Sequence, residues 1–163
     1  MKIYGITGWK NGGKTGLVER LVAEITARGF AVSTIKHAHH RTDVDQPGRD
    51  SFRHREAGAQ QVLLSSPNRW ALMSELRDAP EPTLDELLGH LSPVDLVLIE
   101  GYKRDAHPKV EAFRTENGKP TLASENDTIR AVAADCAVES NLPVFDLNDT
   151  GAIADFILAE VGL

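Results

Sequence analysis

Apolar positions recur along this chain with two different periods, and their alternation lays out the elements. Leu17, Val18, Leu21, Val22 and Ile25 fall at i, i+1, i+4, i+5 and i+8, one stripe of an amphipathic helix, and Gly29 supplies its stop. The stretch before it, Lys2-Ile3-Tyr4-Gly5-Ile6-Thr7, reads as a strand, and a second strand is expected over 31–36. A polar loop from His37 to Asp50 leads into a short helix that starts at Asp50 or Ser51, runs through Glu56 and is stopped by Gly58. Residues 61–65 and 69–74 are expected to pair as a hairpin across Pro67-Asn68. Thr83-Leu84-Asp85-Glu86 is a capping-box pattern that opens a helix to about Leu91, and Pro93 ends it. Further strands are expected over 95–99, 109–114, 129–134 and 144–147, before an amphipathic helix carrying Ile153, Phe156, Ile157 and Val161. Strands alternating with helices predict a three-layer α/β fold with a mostly parallel sheet, plus a β-hairpin region.

Between the first strand and the first helix lies Gly8-Trp9-Lys10-Asn11-Gly12-Gly13-Lys14-Thr15, a complete G-x-x-x-x-G-K-[ST] phosphate-binding loop. Such a pattern arises by chance about once in a few hundred chains of this size, and strand, loop, helix is the order that it requires. The backbone N–H groups of Asn11, Gly12, Gly13, Lys14, Thr15 and Gly16 are expected to turn inward around a phosphate, where a Cβ on the glycines would obstruct them. The positive end of the helix dipole points at the same anion. Lys14 is expected to reach the β and γ phosphates, and the Thr15 hydroxyl to hold Mg²⁺. The fold is therefore expected to be P-loop NTPase-like.

A length of 163 residues suits a single domain, residues 1–163, and 41% hydrophobic with 26% charged residues is ordinary for a soluble globular chain. The formal net charge of −6, with no basic cluster interleaved with aromatics, argues against nucleic acid as a partner. Cys136 is the only cysteine, no charged-then-apolar leader opens the chain, and no apolar run is long enough to span a bilayer. A cytoplasmic location without membrane contact is expected.

Two further segments carry candidate chemistry. Asp95-Leu96-Val97-Leu98-Ile99-Glu100-Gly101 is an apolar run, suited to a parallel strand buried on both faces, that ends in an acid and a glycine. In a parallel sheet Glu100 would emerge at the same edge as the phosphate loop and reach Mg²⁺ directly or through water, as a metal ligand and catalytic group. Asp95, at the start of the strand, would sit at the far edge. The loop from Lys36 to Ser51 holds His37, His39, His40, Asp43, Asp45 and Asp50. It too would emerge at the nucleotide edge, where Asp43 or Asp45 could join the Mg²⁺ shell or position a water, and the histidines could bind phosphate or a transition metal. The competing account is a polar surface loop that uses Asp and Gly for its turns.

Together the phosphate loop, Lys36-His37-Ala38-His39-His40-Arg41-Thr42-Asp43-Val44-Asp45-Gln46-Pro47-Gly48-Arg49-Asp50-Ser51, Arg69-Trp70-Ala71-Leu72-Met73 and Ile99-Glu100-Gly101-Tyr102-Lys103 resemble the molybdopterin-guanine dinucleotide biosynthesis protein B family, MobB, over nearly the whole chain. The resemblance implies a small GTP-binding P-loop protein, generally dimeric, with weak GTPase activity. Such a protein assists the nucleotidyltransferase MobA, which attaches GMP from GTP to molybdopterin. The chain departs from the commoner pattern at Gly16, where a second Ser or Thr often stands, and at Arg49, which replaces a frequent Lys.

No N-K-x-D segment marks guanine recognition. Asp135 after the 129–134 strand and Asn148 after the 144–147 strand are placed to do that work, with helix capping by Asn148 or Asp149 as the competing role. The residues alone leave open a P-loop small-molecule kinase or an ATP-dependent ligase, although the arginines are scattered rather than gathered in a lid. Molybdopterin itself is a candidate ligand.

Overall fold

The computed structural model describes residues 1–38 and 43–163. Its elements in chain order are β1 (Lys2–Thr7), α1 (Lys14–Ala27), β2 (Val32–Lys36), α2 (Asp50–Glu56), β3 (Gln61–Ser65), β4 (Trp70–Ser74), α3 (Leu84–Gly89), β5 (Leu96–Glu100), β6 (Lys109–Phe113), β7 (Ile129–Ala134), β8 (Val144–Asp146) and α4 (Thr150–Val161). They form two compact units, one of Met1–Ala38 with Ser92–Leu163 and one of His39–Leu91.

In the first unit six strands form a sheet in the order β2-β5-β1-β6-β7-β8, and every neighbouring pair is parallel. All strand C-termini therefore lie at one edge. β1 is flanked by β5 and β6, so the chain leaves its C-terminus at the point where the strand order reverses, the usual crevice of open parallel sheets. β5 is buried at every residue, as its unbroken apolar run predicts. Alternation sends Tyr4, Ile6, Leu98, Val110 and Ala133 to one face, where they meet Leu17, Leu21 and Ile25 of α1 and Ile153 and Ile157 of α4.

The opposite side of β6 carries two buried charges. The Lys109 ammonium is fully buried and donates to the carbonyl oxygens of Asp105 and His107 and to Thr128 Oγ1. Glu111, also fully buried, accepts the backbone N–H groups of Leu122 (2.8 Å) and Ala123 (2.9 Å). Burial holds Lys109 below its ordinary pKa and lifts Glu111 above its own. Their work is to tie the segments before and after β6 to the sheet.

His107 is 7% exposed, and neither ring nitrogen has a hydrogen-bond partner. The ring fits because residue 5 is glycine: a Cβ there would lie 2.7 Å from His107 Nε2 and 2.6 Å from Lys109 Cγ. Burial, and then the Lys109 charge, push the imidazole down to about 4 from an ordinary 6.5. The unfolded chain thus takes up a proton first as pH falls. The contribution of neutral His107 is fully present above about pH 6.5 and is lost as pH drops toward 4, by an amount of order 2–3 kcal/mol. Glu111 acts with the opposite sign, so the comparison must be with a variant. His107→Leu is expected to lose much of the stability difference between pH 7 and pH 5 in urea unfolding; an unchanged difference would assign the acid sensitivity elsewhere.

In the second unit β3 and β4 pair antiparallel, with Val62 opposite Met73 and Leu63 opposite Leu72. Arg69 is in the turn rather than in β4, because its carbonyl accepts from Ser66 N and Ser66 Oγ and closes the loop. Leu63, Leu72 and Trp70 share one exposed face of the hairpin. α3 starts with the predicted capping box, Thr83 and Glu86 bonding reciprocally. Arg55 of α2 gathers three carboxylates: Asp43 through both oxygens (2.9 and 3.0 Å), Asp45 at 3.1 Å and Glu75 at 2.6 Å. Among the described residues no helix is long and apolar enough to cross a membrane.

Candidate functional site

The phosphate loop connects β1 to α1 in a conformation that its glycines make possible. Gly8 leaves the strand with φ 139°, and a Cβ there would lie 2.3 Å from the Ala112 carbonyl oxygen of β6. Asn11 takes the left-handed region at φ 62°, Gly12 N–H donates to the Trp9 carbonyl at 3.0 Å, and Gly13 at φ 90° precedes the first turn of α1. No side chain caps that helix, so its first N–H groups remain turned toward a cleft of about 300 Å³. The cleft is lined by Asn11, Gly12, Gly13, Lys14, Thr15, Gly16 and Arg114. A larger depression of about 860 Å³ lies by the N-terminal ends of β7 and β8, lined by residues such as Asp127, Arg130 and Glu139, and has no phosphate cradle. Size alone therefore does not mark the site.

Three side chains from different elements meet at Thr15. Its hydroxyl donates to Glu100 Oε1 at 2.9 Å. The Lys36 ammonium, at the end of β2, lies 3.1 Å from the same carboxylate oxygen and 3.2 Å from Thr15 Oγ1. Parallel pairing aligns Ile6 and Lys36 with Glu100, which fixes this convergence. The Lys14 ammonium donates to the Trp9 carbonyl at 2.7 Å, and burial, then the neighbouring Lys103, hold its pKa below the ordinary value. Two more cations lie over the Trp9 ring, Lys103 at 4.6 Å and Lys119 at 5.6 Å from its centroid. A chain of net charge −6 thus concentrates positive charge around its phosphate loop.

The remaining predicted residues have other neighbours. His37 N–H donates to the Glu100 carbonyl at 2.9 Å, and its ring packs against Tyr102 with centroids 4.7 Å apart. Gly101 is needed for that approach, since a Cβ would come within 2.9 Å of His37 Cβ. Asp45, in the second unit, accepts from Ser51 Oγ and Gln46 N on one oxygen and from Arg55 on the other. Burial would raise its pKa, but these donors together hold it below the usual carboxylate range. Asp95 Oδ2 accepts the Ala31 N–H, a structural tie at the far edge. His39 and His40 lie outside the described residues, and among the described residues no cluster of metal-ligating side chains occurs.

Asp135 stands at the end of β7, but its Oδ1 accepts the N–H (3.0 Å) and hydroxyl (2.9 Å) of Thr115 and so clamps the turn Thr115–Asn117 after β6. Asn148 is exposed, with its N–H on Asp146 Oδ1; Asp149 provides the cap of α4 through the Ala152 N–H. Arg20 of α1 fixes that turn by donating to the Leu147 carbonyl and Thr150 Oγ1. Arg114 and Lys36 are the cations that motif reading passed over. Each sits at the C-terminal end of a predicted strand, a position that in a parallel sheet faces the phosphate loop.

Residues 3–135 match the family described as molybdopterin guanine dinucleotide synthesis protein B, MobB. A molybdopterin-guanine dinucleotide biosynthesis adapter protein of Haemophilus influenzae is 42% identical over 158 residues, covering 95% of this chain and 86% of that protein. The Escherichia coli protein of the same description is 37% identical over 159 residues, 96% of this chain and 91% of its own. The crystal structure of a MobB homologue from Bacillus stearothermophilus superposes with a TM-score of 0.74 at 31% identity, over 99% of both chains. With a phosphate loop at the switch point of an all-parallel sheet, and with likeness along nearly its full length, this chain belongs to the MobB family.

Proposed function

We propose that this chain is a GTP-binding adapter in molybdopterin guanine dinucleotide biosynthesis, presenting nucleotide to a MobA-type nucleotidyltransferase and hydrolysing GTP slowly on its own. The observation that carries the reading is the open phosphate cradle with Thr15 and Glu100 2.9 Å apart beside it. A hydroxyl and a carboxylate oxygen suit a hard divalent ion, and the Lys36 ammonium already rests against both. Thr15 and Glu100 would hold Mg²⁺, which when bound supplies charge neutralisation for the β and γ phosphates. His37, Asp135 and Asn148 stand at the ends of β2, β7 and β8, on the edge where ribose and base would extend. Asp135 accepts the N–H and hydroxyl of Thr115 through Oδ1, and a guanine donor would approach its other oxygen.

Slow turnover is supported by a lining that, among the described residues, offers no glutamine or histidine to orient a water. A homodimer is part of the proposal, supported by the exposed apolar hairpin face of Leu63, Trp70 and Leu72; sedimentation at micromolar concentration reading only monomer would count against it. Molybdopterin is the candidate second ligand, favoured by the Lys103 and Lys119 cations, which make no ion pair among the described residues. The same lysines would have to be needed for pterin binding.

Titration calorimetry with GTP and ATP in Mg²⁺ tests the central claim. Preference for GTP is expected, and equal affinity or a preference for ATP would contradict it. Glu100→Gln is expected to raise the Mg²⁺ concentration needed for hydrolysis about tenfold, the loss of one charge-assisted contact, while GTP affinity at saturating Mg²⁺ changes little. Wild-type rates across the Mg²⁺ series would make Glu100 a structural residue.

A further inference from the structure

Two side chains beside the phosphate loop have donors without acceptors, and neither belongs to the motif. Arg114 follows β6 directly and lines the cleft together with Asn11 to Gly16. Its Nε is buried without a hydrogen-bond partner, and so is Asn117 Nδ2 three residues on. The guanidinium has no carboxylate within ion-pair distance among the described residues, although, after the hydrogen bonds from Thr115, its charge helps to hold the Asp135 carboxyl below the usual range. Buried donors are nearly always satisfied in native proteins, so an unsatisfied guanidinium on the wall of an anion cradle, with Asn117 behind the loop at Gly12, marks where an acceptor is missing.

The position of both groups is fixed from outside the cleft. Asp135 clamps Thr115 through backbone and hydroxyl, which holds the turn from Arg114 to Asn117 in place. Arg114 packs against the loop so closely that a Cβ on Gly13 would lie 3.1 Å from its Nε, and a Cβ on Gly12 would lie 3.6 Å from Asn117 Nδ2. A guanidinium held this way loses little freedom when an oxyanion arrives, and its planar fork suits a phosphate.

Which phosphate it meets follows from the two ends of the loop. Lys14 is turned toward the Trp9 carbonyl at the start of the loop, and the lysine of this motif serves the β and γ phosphates. Arg114 stands instead against Gly13, beside the Leu147 side chain that follows β8. We propose that Arg114, with Asn117 beside it, grips the α-phosphate of the bound nucleotide, so that Lys14 and Arg114 hold the two ends of one phosphate chain. The assignment rests on the nucleotide-binding reading above. It also gives Asp135 a positioning role through the Thr115 clamp. The α-phosphate is shared by nucleoside mono-, di- and triphosphates, so the contact has a signature that a β- or γ-phosphate contact lacks.

Calorimetric affinities of the full chain for GTP, GDP and GMP test it, using wild type, Arg114→Gln, Arg114→Lys and Lys14→Ala. Arg114→Gln is expected to weaken all three ligands by a similar factor, about tenfold or more, as for loss of a charge-assisted phosphate contact. Lys14→Ala is expected to weaken GTP and GDP and leave GMP nearly unchanged. If Arg114→Gln fails to fold, Arg114→Lys carries the test: it keeps the charge without the Nε donor or the fork, and a smaller, still uniform loss of about threefold is expected. Wild-type affinities in the folded Arg114 variants, or a loss confined to GTP, would overturn the α-phosphate assignment while leaving GTP binding intact. A wild-type chain that binds no nucleotide would overturn the GTP-binding reading, and this assignment with it.

Discussion

Lys14→Ala is expected to weaken GTP binding tenfold or more while leaving the stability of the nucleotide-free protein unchanged or slightly raised. The ammonium makes one hydrogen bond in the structure, to the Trp9 carbonyl at 2.7 Å, and that carbonyl also accepts from Gly12 N–H. Its electrostatic surroundings are mostly adverse: burial, Lys103 and Lys36 all disfavour its charge, with Glu100 opposing them. Removing it relieves repulsion in the empty cradle and forfeits attraction in the filled one. A charge-assisted contact to phosphate contributes roughly 1.5–3 kcal/mol, which sets the expected factor. Calorimetry with GTP, alongside thermal unfolding without nucleotide, reads both sides. Wild-type affinity in the variant would remove Lys14 from the phosphate site; equal losses in affinity and stability would make it a structural residue.

Gly8→Ala is expected to act in the opposite way, by costing about 3–5 kcal/mol of folding stability and abolishing nucleotide binding only as a consequence. The new methyl carbon would lie 2.3 Å from the Ala112 carbonyl oxygen, and that oxygen belongs to β6 in the middle of the sheet, where it cannot retreat without breaking strand pairing. The φ of 139° adds strain of its own for a residue with a side chain. Gly16→Ala is the control. Its Cβ meets nothing nearer than Arg20 Nη1 at 3.5 Å, its φ is not positive, and it lies inside α1, where alanine is favoured by up to about 1 kcal/mol. Urea unfolding that ranked Gly8→Ala beside Gly16→Ala would contradict the packing account of the loop.

The contrast between these two substitutions shows what kind of information each residue carries. Gly8 and Lys14 belong to one eight-residue motif, and their types alone announce a phosphate loop. That Gly8 is locked by β6, and Lys14 is crowded by Lys36 and Lys103, depends on strands and loops far away in the chain. The acid loop makes the same point. Asp43 and Asp45 belong to the loop that follows β2, and in the second unit their oxygens accept from Arg55, Ser51 and Gln46. A guanidinium ten or more residues away competes for the same carboxylates, and no spacing rule reveals it. Likewise Asp135, expected from its place after a strand to read the base, spends one oxygen on Thr115, and Asp149 rather than Asn148 caps α4.

Local and periodic features were determined by the sequence itself: the strand, loop and helix order at the N-terminus, the hairpin, the Thr83 capping box, the buried strand ending at Glu100 and the parallel α/β class. These rest on neighbours within a few residues and on side-chain periodicity, which act before any tertiary contact forms. Only the tertiary structure decided the strand order that sets β5 and β6 on either side of β1, and with it the meeting of Thr15, Lys36 and Glu100 and the arrival of Arg114 on the cleft wall. It alone buried Lys109, Glu111 and His107 behind β6. The physical reason is that pairing between distant strands is chosen by the burial of whole faces. A charged residue's partners are whatever that choice brings within reach.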